Sequence, residues 1–293
     1  MKRTHVGVLV GSTLLLIATG CSSGSDAAPA STAPQATETT TAGTGGMNLV
    51  VIGDSLIDPA GVCNGCTGFA EQYASHLEDT LGEPVAVHRV TAMGVPDAQS
   101  TVASNDTARE QIAAADVVVE VGFNNAMPDP ETGIGCGGSL GAQSADEIIG
   151  WIRSTEPECL AAGVATYGAL YDQIFAGVKE LRSDLPTVYI ATTTIDGNID
   201  ETLPDSLLGL LDPTDRPFAL QWTLDAYERW NAMLSQRATA AGFEVVDLYR
   251  AFNGPDGTKP SGDLAVDSAH PSQNGNDLIA AKLAEVGVSA LTD

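Results

Sequence analysis

Basic residues are scarce in this chain. Thirteen lysines and arginines stand against 38 aspartates and glutamates over 293 residues, a net charge of −25. Loss of Lys2 and Arg3 with a cleaved leader makes it −27, because the first twenty positions hold no acidic residue. Such a surface opposes binding to nucleic-acid phosphates and to anionic lipid headgroups. Neutral substrates suit it better than polyanions, although an acidic surface serving solubility alone explains the charge equally well. Histidine is rarer still, with only His5, His76, His88 and His270. The apolar stretch from Val6 to Ala18 is too short to cross a bilayer, which needs about 20 apolar residues. No internal repeat is present. What remains is a globular composition, 43% hydrophobic, long enough for one large α/β domain or two small ones.

The N-terminal region has a separate character. Met1-Lys2-Arg3 and the apolar stretch after it read as the charged and hydrophobic parts of an export signal, ending in Ala18-Thr19-Gly20-Cys21. That ending resembles a bacterial lipoprotein signal, in which Cys21 receives a diacylglycerol. The usual leucine three residues before the cysteine is missing, and an ordinary cleaved signal is the alternative. Ser22 to Gly46 is almost entirely Ser, Ala, Thr, Pro and Gly, a composition that cannot bury enough apolar surface to fold. The expected organisation is a signal over 1–20, a lipid-anchored flexible linker over 21–46 and a folded domain over 47–293. The protein is then exported and held on the outer face of the bacterial membrane through its lipid alone, or secreted if the signal is an ordinary one.

Cysteine is also sparse. With Cys21 assigned to lipid, Cys63, Cys66, Cys136 and Cys159 remain, and an even number in an exported chain predicts two disulfides. The local pairings Cys63–Cys66 and Cys136–Cys159 are the preferred ones of three. A four-thiolate zinc site is disfavoured by the wide spacing of the second pair. A redox Cys-x-x-C is disfavoured because Ser55 already occupies the strand-to-helix turn that such a motif requires.

Short apolar runs alternate with amphipathic stretches, which predicts a parallel sheet covered by helices on both faces. The candidate strands are Leu49–Ile52, Val85–Val90, Val117–Val121, Val188–Ala191 and Val245–Leu248. Phe69, Tyr73, Leu77 and Leu81 recur every four residues and mark a helix that Gly82 and Pro84 end. Leu170 to Leu181 and Leu220 to Leu234 mark two more, and 277–286 a last one. The segment 127–165 breaks the rhythm. It is rich in Gly and Pro, holds Cys136 and Cys159, and contains one short helix opened by a Ser144/Glu147 capping box and carrying Trp151. A disulfide-stapled insertion there, following Asn124, is expected to wall an acyl pocket or simply to pack on the domain.

Two blocks carry chemistry. Gly53-Asp54-Ser55-Leu56 follows the first apolar run, and Asp267-Ser268-Ala269-His270-Pro271 lies near the other end. A serine at the end of a buried strand stands at the carboxyl edge of a sheet, where open α/β folds bind ligands. A histidine can take its proton, and an aspartate can fix the imidazole tautomer and stabilise its charged form. His76 falls on the polar part of a helix and His88 within a strand, so His270 is the histidine with a chemical role. Gly137-Gly138-Ser139-Leu140-Gly141 also matches a nucleophile elbow, as does Gly20 to Gly24. The first has no strand before it and the second lies at the lipidation site.

These blocks resemble those of the SGNH hydrolases, or GDSL esterases, over roughly Met47 to Val288. The resemblance implies a three-layer α/β/α sandwich with a mostly parallel sheet of about five strands, similar to the flavodoxin arrangement. It places the nucleophile on Ser55, the base on His270 and the acid on Asp267. The family also shows a Gly-x-Asn-Asp block, whose counterpart is Gly122-Phe123-Asn124-Asn125, so Asn124 is the expected oxyanion donor and Asn125 a departure. Gly94, in Val90-Thr91-Ala92-Met93-Gly94, matches the family's backbone donor but lacks much of its flanking pattern. The implied activity is hydrolysis of short- or medium-chain carboxylic esters through an acyl-enzyme, with no metal or cofactor. A polysaccharide O-acetylesterase and a non-catalytic binding lipoprotein are the alternatives. The expected partner is a small-molecule or glycan ester, and oligomeric state is not visible from sequence.

Overall fold

Five parallel strands form the centre of the molecule in the order β2-β1-β3-β4-β5. The computed structural model describes residues 46–58, 63–123, 145–154, 157–203 and 205–292. Its strands are β1 (Met47–Gly53), β2 (Val85–Thr91), β3 (Val117–Val121), β4 (Val188–Thr192) and β5 (Glu244–Val246). Its helices are α1 (Phe69–Leu81), α2 (Val95–Ser104), α3 (Asp106–Ala114), α4 (Ala145–Ser154), α5 (Pro157–Leu181), α6 (Leu207–Leu210), α7 (Arg216–Ala240), α8 (Leu248–Asn253) and α9 (Gln273–Ala284).

The strands are apolar on both faces because both faces are covered, as parallel sheets require. Val50, Ile52, Val118 and Ala191 face a layer of α2, α3, α5 and α7, packing on Tyr171, Phe175 and Trp230. The alternate residues Leu49, Val51, Val117, Val119 and Ile190 face α1, α8 and α9, packing on Phe69, Tyr73, Phe252 and Leu283. The three-layer α/β/α sandwich expected from the sequence is therefore the fold. A smaller apolar cluster joins α4 to the start of α7: Ile149, Ile152, Ile199, Leu208, Leu211 and Ala219 are buried together.

All five expected strands match within two residues at either end. The fifth ends two residues early, since Asp247 leaves the sheet to cap α8. Its carboxylate accepts the Arg250 N–H at 3.0 Å and the Thr193 hydroxyl at 3.0 Å. Helices α2 and α3 were not marked by the sequence pattern, and α5 begins well before the periodic stretch that signalled it. In the early part of α5 small residues pack tightly: a Cβ at Gly168 would stand about 3.2 Å from Arg237 of α7. A small residue there lets the two helices approach closely and thins out the hydrophobic signal. Cys63 and Cys66 are joined as a disulfide with Cα atoms 5.5 Å apart. The leader, the linker, Cys21, Asn124, Cys136, Ser139 and Ser144 lie outside the described residues, as do the side chains of Trp151 and Cys159.

Candidate active site

The order of strands reverses between β1 and β3, and Ser55 follows β1 at that point, where doubly wound folds open a crevice. Gly53 makes the turn possible. A Cβ there would meet the Ile57 side chain at 2.6 Å, so only glycine lets the chain fold straight back into the 3-10 turn Ser55–Ile57. Asp54 caps that turn by accepting the Leu56 N–H at 3.1 Å, while Ser55 itself is exposed.

His270 arrives from a loop that precedes α9. The loop is closed by an antiparallel bridge between Ala265 and Pro271, with the Val266 N–H on the His270 carbonyl at 3.0 Å. Inside it, the Asp267 carboxylate accepts the N–H groups of Ala269 at 2.9 Å and His270 at 2.7 Å. The same carboxylate accepts the imidazole Nδ1–H, with both oxygens at 2.9 Å. That contact leaves Nε2 as acceptor for the Ser55 hydroxyl at 2.7 Å, though the two residues are 215 positions apart. Carboxylate, imidazole and hydroxyl thus stand in one series. For Asp267, burial raises the pKa, but the hydrogen bonds from the His270 ring and the two backbone N–H groups outweigh it and hold the acid below its ordinary range. His270 is held above its ordinary range, first by the hydrogen bond to Asp267, against burial, and then by the charges of Asp267, Asp54 and Asp205.

Buried Asn276 locks the loop to the rest of the domain. It accepts the Phe69 N–H at the start of α1 at 3.0 Å and donates to the Ser272 carbonyl at 2.8 Å. Gly94 is buried directly before α2, beyond the end of β2, and the Ala92 N–H binds the Gly53 carbonyl at 2.8 Å, so Gly94 and Ser55 share one edge of the sheet. Its neighbour Met93 is 79% exposed beside that edge. Phe123, the residue before Asn124, is buried at the end of β3, where a Cβ on Gly122 would stand 2.6 Å from the Thr194 hydroxyl.

Two buried acids near the site were not singled out by sequence. Glu120 on β3 is pushed well above the carboxylate range by burial and then by the charge of Asp54, and neither of its oxygens has a hydrogen-bond partner among the described residues. Asp196, just after β4, is pushed up to about 7 by burial, against the hydrogen bonds from Asn198. The folded state therefore binds the Asp196 proton more tightly than the unfolded chain, so stability falls as pH rises from about 4 to about 7 and is level above. The loss cannot exceed about 4 kcal/mol, at 1.36 kcal/mol per pH unit over roughly three units. Asp196→Asn is expected to gain on the parent in melting temperature across that window, the difference becoming constant above pH 7. A difference that does not change with pH between 4 and 8 would contradict this.

A parallel α/β sheet bearing a hydroxyl, an imidazole and a carboxylate in series at its switch point is the build of an acyl-group hydrolase. A family model of the GDSL-like lipase/acylhydrolase family matches residues 51–278. The chain belongs to that family and is a carboxylic ester hydrolase. No curated protein matches it. Solved structures share the fold at low identity. A lipase, Lip_vut3, from a goat rumen metagenome is 16% identical with a TM-score of 0.58, covering 82% of this chain and 97% of its own. An extracellular lipase from Streptomyces rimosus is 17% identical with a TM-score of 0.52, covering 82% and 98%. An acetylxylan esterase, Axe2, from Geobacillus stearothermophilus is 16% identical with a TM-score of 0.50, covering 82% and 93%.

Proposed function

We propose that this protein is a serine esterase that cleaves short- or medium-chain carboxylic esters through an acyl-enzyme on Ser55. The observation that carries the reading is the series Asp267–His270–Ser55, with contacts of 2.9 and 2.7 Å. Ser55 Oγ attacks the ester carbonyl carbon while its proton passes to His270 Nε2. The negative charge formed on the carbonyl oxygen would be held by the backbone N–H groups of Ser55 and Gly94 and, as the family's Gly-x-Asn block implies, by the side-chain amide of Asn124. Collapse breaks the bond to the alcohol oxygen, which leaves with the proton from Nε2. Water then attacks the acyl-enzyme, gives its proton to Nε2, and releases the acid as the proton returns to Ser55. The Asp267 carboxylate stays ionised throughout and stabilises the imidazolium in each half-reaction.

Each oxyanion donor in such a site supplies about 3–4 kcal/mol to the transition state and little to the ground state. Asn124→Ala is therefore expected to lower kcat by about 10²–10³-fold with its melting temperature unchanged. Full activity in that variant would remove Asn124 from the mechanism.

The exposure of Ser55 at an open edge also suits a bulky, hydrophilic alcohol, and an acetylxylan esterase is among the proteins of this fold. A polysaccharide O-acetylesterase is the second reading. Specificity constants for p-nitrophenyl acetate, butyrate and octanoate, set against acetate release from acetylated xylan, separate the two. The first reading expects butyrate or octanoate to lead, whereas a dominant rate on the glycan establishes the second. No turnover of any of them would refute both. The leader and tether read from the sequence would place this activity outside the cell, anchored through Cys21.

A further inference from the structure

Asp205 lies in none of the sequence blocks, yet it grips the loop that carries His270. Its Oδ2 accepts the Ser268 N–H at 3.2 Å and the Ser268 hydroxyl at 3.1 Å. Ser268 sits between the two members of the acid–base pair, and its neighbours Ala269 and His270 direct their N–H groups the other way, onto Asp267. The Asp267–His270 turn is thus held by carboxylates on two sides, one inside the turn and one outside it.

The outer carboxylate stands on a built support. Residues 196–203 and 205–211 form a strap of turns and the short α6, with the Ser206 hydroxyl on the Asp200 carbonyl at 2.6 Å and the Leu203 N–H on the Asp200 carbonyl at 3.1 Å. Ile199, Leu208 and Leu211 sink into the apolar cluster beneath α4 and α7, so the strap is fastened on both sides of Asp205. The Asp200 carboxylate accepts the Gly262 N–H at 2.8 Å, tying the strap to the far side of the histidine loop. At Gly197 the strap touches the turn itself, where a Cβ would stand 2.3 Å from the Ser268 carbonyl. Gly197 and Asp205 of the strap therefore meet the same residue of the turn, one through its backbone and one through its carboxylate.

We propose that Asp205 is a positioning residue for acyl transfer, holding the Asp267–His270 turn through the Ser268 N–H and hydroxyl so that Nε2 meets the Ser55 hydroxyl. This rests on the reading of His270 as the general base. Asp205 touches no reacting atom; it acts through Ser268. Misalignment of a base by a fraction of an ångström weakens a step that depends on orientation, whereas substrate binding is left alone. Asp205 also adds charge. Three carboxylates act on the imidazole, Asp267 by direct contact from its own turn, and Asp54 just after β1 and Asp205 on the strap through their charge, and all three favour the imidazolium. Loss of the Asp205 charge therefore lets His270 become neutral at lower pH. A general base must be neutral, so the acidic limb of the rate profile moves with it.

The test is steady-state hydrolysis of p-nitrophenyl butyrate from pH 5 to 9 by the full chain and its Asp205→Asn, Asp205→Glu and Ser268→Ala variants, with Ser55→Ala and His270→Ala as controls. Asp205→Asn is expected to lower kcat by about 10-fold with KM little changed, and to move the acidic limb to lower pH. Asp205→Glu restores the position of the limb, since the charge returns, and recovers part of kcat. Ser268→Ala keeps the charge and the N–H but loses the hydroxyl, so kcat falls by less than in Asp205→Asn and the limb stays in place. Parent kcat and an unmoved limb in Asp205→Asn, with His270→Ala inactive, overturn the proposal and leave the reading of His270 intact. An active His270→Ala variant instead refutes that reading and the proposal with it. Should Asp205→Asn not fold, Ser268→Ala decides, and parent kcat there overturns the proposal.

Discussion

Ser55→Ala is expected to lower kcat on p-nitrophenyl butyrate by about 10⁵–10⁶-fold and to leave melting temperature within a few degrees of the parent. The size follows from the loss of the covalent route itself. Without Oγ, what remains is binding and oxyanion stabilisation acting on a water that His270 must recruit, a residue of about 10³–10⁴ over the uncatalysed reaction in enzymes of this kind. The small stability effect follows from position. Ser55 is exposed, and its hydroxyl contacts His270 Nε2 at the open edge of the sheet, so truncation opens no cavity and strands no buried group. The turn beneath it is set by Gly53 and the Asp54 cap, neither of which the substitution touches. Rapid-quench kinetics should show the parent's burst of p-nitrophenol absent in the variant. Retention of more than about 1% of kcat would mean that another group attacks the ester.

His270→Ala should cost about as much, and the double variant Ser55→Ala/His270→Ala no more than either alone. Nucleophile and base act as a unit: the hydroxyl is a weak nucleophile at its own pKa, and the base is idle without a proton to take. Additive losses would be the signature of two independent contributions and would contradict the shared proton path. Stability is again expected to hold. Asp267 keeps the N–H of Ala269 and the backbone N–H of residue 270 as donors, so its carboxylate is not left bare when the ring is removed. The two variants together therefore separate chemistry from folding.

The sheet was legible in the sequence for a plain reason. Strands covered on both faces are apolar along their length, and Val117–Val121 reads as one uninterrupted run apart from Glu120. Helices α2 and α3 were harder. Val95-Pro96 opens α2 within a loop-like stretch, and Asn105 ends one helix while capping the next by accepting the Ala108 N–H at 3.0 Å. A cap residue between two short helices looks, in one dimension, like a turn. The early part of α5 was hidden by small residues such as Gly168, which the packing against α7 requires.

In the site, the legible residues were those grouped in short blocks. Asp267 and His270 are three positions apart and Ser55 sits in a contiguous tetrapeptide, so type and spacing were enough to nominate them. Asp205 and Gly197 could not be found that way. Asp205 meets Ser268 across 63 residues, and its only local sign is an acidic residue in an acidic chain. Asn276 lies within the run that follows the histidine, but its role emerges only when Phe69, 207 positions earlier, is placed beside it. Long-range partners of the His270 loop leave no spacing to read.

The measurement that tests the account most directly is labelling of the full chain with a fluorophosphonate, followed by mass mapping of the modified peptide. The account predicts a single adduct on Ser55, lost in His270→Ala, because the hydroxyl reacts only when the imidazole can take its proton. An adduct on Ser139, or none in folded and oxidised protein, would contradict it.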